Sequence, residues 1–177
     1  VRPEPVLSST LDGMNCSDVP SGIMLGTNGT SVGAATYNIT LLDVNGLTAS
    51  AGAPSTGNGL AADVLSNDSW TNTTNGAVDV EYTIVPVSAL SCLGDPVVVT
   101  FTVNPEPILL STLDEQRCSD LVSTIELDTE PASVAAASYN IPIIDDNGLA
   151  SSAGGPATGS VFNALEISDD AWTNTTT

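Results

Sequence analysis

The side chains able to do chemistry in this chain are almost all carboxylates. There are 21 acidic residues and two arginines, Arg2 and Arg117, with no lysine and no histidine, giving a formal net charge of −19. Without histidine or lysine, most general acid–base, Schiff-base and zinc chemistry is out of reach. Carboxylate-only hydrolysis needs two facing acids in a cleft, and no Asp-Thr-Gly or Asp-Ser-Gly sequence occurs. The chain therefore reads as a non-enzyme without a cofactor. Its charge excludes a phosphate-tracking nucleic-acid binder, which needs a basic face. It also opposes contact with anionic membrane surfaces, and no 18-residue apolar stretch is present to insert.

Three constellations remain. The first is oxygen-rich turns: Asp43 and Asn45 in Asp43-Val44-Asn45-Gly46, then Asp145, Asp146 and Asn147 before Gly148. Calcium takes six to eight oxygens, and such a fragment supplies two or three. These residues are weak calcium candidates beside the plainer reading of Asn-Gly turns. The second is Cys16, Cys92 and Cys118. Cys16 and Cys118 are equivalent under the repeat described below, so the economical pairing is Cys16–Cys92, with the partner of Cys118 falling beyond the chain. Such a bridge would close a loop of about 75 residues and imply an oxidising compartment. The alternative is three buried free thiols. The third is six N-x-S/T sequons, at Asn15, Asn28, Asn38, Asn67, Asn72 and Asn174. They are glycosylation candidates on a motif that is weak by itself.

The elements that must position these residues come in two copies. Shifted by 102 positions, residues 1–75 lie on 103–177 without a gap, with 41 identities in 75 pairs. "CSD" recurs at Cys16 and Cys118, "YNI" at Tyr37 and Tyr139, and "WTNTT" at Trp70 and Trp172. The apolar period is two. Val78, Val80, Tyr82 and Ile84 form one inward row, and Val97, Val99, Phe101 and Val103 another. Ile23 and Leu25 are also inward, as are Tyr37, Ile39 and Leu41 with their copies Tyr139, Ile141 and Ile143. Pro142 replaces Thr40, which makes that strand an edge or turns its missing N–H to solvent. Gly59–Ser66 reads as a strand or as a short helical turn. Trp70 and Trp172 read as core plugs rather than sugar platforms. Short strands with Asn-Gly turns at Asn28, Asn45 and Asn75 indicate all-β, tandem immunoglobulin-like Greek-key β-sandwiches.

The expected domains are residues 1–103, with 1–2 as the strand end of a preceding repeat, and 104–177, a second repeat lacking its last two strands. Two readings account for this: a window from a longer tandem array, or a subunit whose second domain takes strands from a neighbour. The joint Val103-Asn104-Pro105-Glu106-Pro107 is a semi-rigid spacer, because each proline fixes its own φ and extends the residue before it. End to end, each repeat would add roughly 35–45 Å, given the size of a 100-residue domain.

The segment "YTIVPVSALSCLGDPVVVTFTVNPEP" (Tyr82–Pro107) resembles the PKD-like repeats of giant secreted surface proteins of Bacteroidota. In those repeats Y-T-[VI]-x-P is followed by G-C-x-G-x-P, a Val/Thr run and N-P-x-P. Here Leu90-Ser91 stand where the family has glycine before the cysteine. "CSD" at Cys16 is similar to the family's first cysteine, which supports the Cys16–Cys92 pairing. The resemblance implies an extracellular, cell-surface stalk exported by the type IX route, most similar to gliding-motility adhesin filaments. Its partners would be further repeats of the same polypeptide or identical subunits in a filament. The function expected is thus a structural stalk of a large adhesin. The alternative is a self-assembling, pilin-like subunit, and a carbohydrate-binding module ranks behind both because only seven aromatics are present.

Overall fold

A computed structural model of the chain describes residues 2–175. The described residues are all-β, and they divide into two compact units, Val1–Glu106 and Pro107–Thr177. Unit 1 holds β1 (Gly13–Cys16), β2 (Ala34–Asp43), β3 (Thr48–Ala51), β4 (Gly57–Leu60), β5 (Ser69–Thr71), β6 (Val78–Ser88) and β7 (Val97–Asn104). Unit 2 holds β8 (Tyr139–Ile141), β9 (Ala150–Ala153), β10 (Gly159–Phe162) and β11 (Ala171–Thr173).

Unit 1 is an immunoglobulin-like β-sandwich. One sheet has the order β1-β7-β6-β2-β4, and β3 pairs with β5 in the other. Antiparallel β6 and β7 run in register from Val78↔Val103 to Ile84↔Val97, whereas β1 joins β7 in parallel. The alternating rows of β6 and β7 bury as their period requires: Val80, Tyr82, Ile84, Val99, Phe101 and Val103 are all at most 1 % exposed. They pack in one cluster with Leu47, Leu65 and Trp70 and with Tyr37 and Ile39 of β2. Ile23 and Leu25 are buried in the same cluster, although their segment is no strand. Its backbone makes single bonds, from Ser21 N–H to Asp68 O and from Leu25 N–H to Ala62 O.

Two expectations change here. Leu41 points out, and Leu42 packs against the core instead. The cause is a β-bulge: Ile39 pairs with Ile84 and Leu41 with Thr83, so the ladder skips Thr40 and the alternation slips by one. Ile143 is likewise exposed. Pro142 stands where the first copy has this skipped residue, just past the end of β8. Gly59–Ser66 is both of the forms read from the sequence: β4 ends at Leu60, and successive i+3 bonds (Val64→Ala61, Ser66→Asp63) then form a run of turns that buries Leu65.

Unit 2 repeats these local devices with less sheet. β8 pairs with β10 and β9 with β11. In unit 1 the equivalent of β8 is β2, which is bonded on both sides, by β4 and by β6. Among the described residues β8 is bonded on one side.

Candidate functional site

The oxygen-rich turns close on themselves. Asn45 and Gly46 take φ of 45° and 88°, and Asn147 and Gly148 take 48° and 85°, the left-handed pair that a type I′ turn requires. Asp43 Oδ1 accepts the Asn45 N–H at 3.1 Å, and Asp145 Oδ1 accepts that of Asn147 at 3.1 Å. Asp146 Oδ1 accepts the Gly148 N–H at 2.9 Å, and Asn45 Nδ2 donates to Asp79 O at 2.9 Å. The carboxylates thus serve as acceptors for their own backbone. Among the described residues no group of three or more Cys, Asp or Glu side chains is placed to hold a metal.

The cysteine pairing is overturned. All three cysteines are free, with Cys16 and Cys118 exposed. Cys16 lies beside Asn104 at the end of β7, whereas Cys92 precedes the start of β7, next to the Val87↔Leu93 bridge. The length of β7 separates them, roughly 23 Å at the rise of a strand. A disulfide needs Cα atoms within about 7 Å. Two cysteines matched in sequence order sit at opposite ends of the sandwich.

The repeated "CSD" does other work. In unit 1, Ser17 Oγ accepts the Asn72 N–H at 2.8 Å, the Asp18 N–H donates to Trp70 O at 2.9 Å, and Thr71 Oγ1 donates to Asp18 Oδ1 at 2.7 Å. Unit 2 repeats all three contacts: Asn174 N–H to Ser119 Oγ at 2.9 Å, Asp120 N–H to Trp172 O at 3.0 Å, and Thr173 Oγ1 to Asp120 Oδ1. The motif is a clasp between "CSD" and "WTNTT". Asp18 and Asp120 adopt φ of 63° and 65°, a left-handed turn that aspartate tolerates. The Thr71 hydroxyl holds the Asp18 carboxyl below its usual range, and the Thr173 hydroxyl does the same for Asp120.

Asn72 completes the clasp and is fully buried. Its Nδ2 donates to Gly76 O at 2.9 Å and Val103 O at 2.8 Å, and its Oδ1 accepts from Thr74. The nitrogen that would carry a glycan is consumed, so the folded chain presents no acceptor there, contrary to the sequon reading. Asn67 is exposed. Asn38 Oδ1 accepts the Gly59 N–H at 2.9 Å, Asn28 Oδ1 accepts those of Thr30 and Ser31, and Asn15 Nδ2 donates to Pro20 O at 2.9 Å.

A buried polar chain lies beneath the clasp. Trp70 Nε1 donates to the Tyr82 hydroxyl at 3.3 Å, and that hydroxyl donates to Asp68 Oδ2 at 3.0 Å. Asp68 is 2 % exposed, and its Oδ1 has no partner. Burial pushes its carboxyl up to about 6, and burial together with the Asp68 charge raises Tyr82. Gly52, at φ 85°, lets the backbone approach: a Cβ there would lie 2.4 Å from Asp68 Oδ1. Gly154 stands against Asp170 in the same way, at 2.5 Å. Asp68, Trp70 and Tyr82 are each at most 3 % exposed, so in unit 1 the arrangement holds two layers together.

In unit 2 the matching region is open. Trp172, Asp170 and Ile125 line a groove of about 340 Å³, and Tyr139, Ile141, Leu127 and Leu109 line a second of about 390 Å³. Beside the first, Glu115 pairs with Arg117, and that charge holds the Glu115 carboxyl down at about 2.

No curated protein and no solved structure matches the chain. PKD-like domains are typically extracellular, non-catalytic structural modules. Residues 42–107, which run from the end of β2 through β7 into the Pro-x-Pro joint, match the family model of the PKD-like domain.

Proposed function

We propose that this chain is part of the stalk of a large secreted bacterial surface adhesin, in which repeats of 102 residues hold a distal adhesive tip away from the cell. The observation that carries the reading is the clasp. Two units keep the same "CSD"–"WTNTT" bonds at the same spacing, so these repeated side chains bond to each other. Repetition of a mechanical contact without repetition of a ligand site suits a spacer. The Pro-x-Pro joint stiffens each junction, and the acidic surface keeps a long chain soluble and discourages lateral association. The resemblance to PKD-like repeats of Bacteroidota favours a gliding-type filament exported by the type IX route, with further repeats of the same polypeptide as partners. Electron microscopy of the native material tests this. A thin single-chain string with an axial period of roughly 35–45 Å is expected from the domain size. Compact particles, or a thick multi-chain fibre, would contradict it.

A further inference from the structure

Equivalent apolar residues of the two units differ in burial. Ile23, Tyr37 and Trp70 are at most 6 % exposed, whereas Ile125, Tyr139 and Trp172 are only half-buried. In unit 1 the covering element is the β6–β7 hairpin. β6 bonds the free side of β2, β7 lies beside β1, and Tyr82 reaches across to Trp70 and Asp68. In unit 2 the same side of β8 is unbonded among the described residues, a groove lined by Tyr139 and Ile141 takes in β8 itself, and a second groove is lined by Trp172 and Asp170, the equivalents of Trp70 and Asp68.

We propose that this edge and its grooves bind an antiparallel β-hairpin of the β6–β7 kind, belonging to the same polypeptide, with a tyrosine at the Tyr82 position whose hydroxyl bridges Trp172 and Asp170. The occupant is argued from unit 1, where a hairpin of this chemistry fills the same site. An isolated strand would bond β8 and leave the second groove open. A hairpin from a second copy would first have to leave its own unit 1, whose core it completes. The source in the same polypeptide rests on the reading of the chain as a repeat array.

The test uses the full chain with a copy of residues 76–104 grafted after Thr177, beside the ungrafted chain, by hydrogen exchange with mass spectrometry. Exchange at Tyr139–Ile141 should slow at least tenfold on grafting and approach that of Tyr37–Ile39. Protection at Tyr37–Ile39 confirms in the same sample that the chain is folded. A graft carrying Tyr82→Phe should protect less than the unaltered graft. Unchanged exchange at Tyr139–Ile141 would overturn the proposal. So would an ungrafted chain that is already protected and dimeric by light scattering, since the occupant would then be a second copy. Neither result depends on the axial period seen by microscopy, so failure here is separable from failure of the stalk reading.

Discussion

Asp68 is a carboxyl kept dry between Gly52 and Tyr82, and it should tie stability to pH in an unusual direction. Folding raises its pKa from 3.8 to about 6. Its stabilising share is therefore complete below about pH 4 and is lost as pH rises past 6. Asp18 and Asp120 act oppositely, because their lowered pKa values matter only under more acidic conditions. The thermal midpoint should accordingly climb as pH falls from 7.5 to 5. Asp68→Asn should flatten that slope and stabilise the chain at pH 7.5 by about 1–3 kcal/mol. A midpoint that falls over this range in the parent, or an unaltered slope in the variant, would refute the assignment. Asn72 gives a second expectation. Asn72→Ala removes the donor that meets Val103 O in a buried place, together with the Asn72 bonds to Gly76 O and Thr74. Urea denaturation should show a loss of about 1–3 kcal/mol, the cost of one buried acceptor losing its donor and of a lost turn.

At the scale of the element, the bulge in β2 predicts where proline is tolerated. Thr40 is skipped by the ladder, so Thr40→Pro should cost less than about 1 kcal/mol. Thr83 is paired on both sides, with Leu41 and with Val98. Thr83→Pro should cost more than about 3 kcal/mol, because a central strand cannot lose a donor. Denaturant midpoints of the two variants check this, and equal losses would contradict the register. The same strand shows what a sequence can and cannot display. Alternation placed the inward rows Val78–Ile84 of β6 and Val97–Val103 of β7, because neither run is interrupted, but it left out Pro86 and Ser88, which continue the buried row of β6. It misplaced Leu41, since a bulge leaves no mark in a two-residue period. Both "CSD" and "WTNTT" were visible as repeated strings, but their mutual bonding joins residues 53 to 55 apart. The cysteine pairing failed for a related reason: order along the chain does not tell which end of a sandwich a loop occupies. Asp68 carried no signal at all, because a buried acid looks like any surface acid until its neighbours are placed.

At the scale of the whole molecule, the account rests on repeated sandwiches that resist extension through packing and clasps, without a covalent staple. Single-molecule pulling on the native polypeptide tests this most directly. Each 102-residue unit should release about 300 Å of chain, as expected from roughly 3.3–3.6 Å per extended residue less the folded length. The steps should be evenly sized and should not change when a reductant is added. Irregular steps, or short steps that lengthen only after reduction, would contradict it.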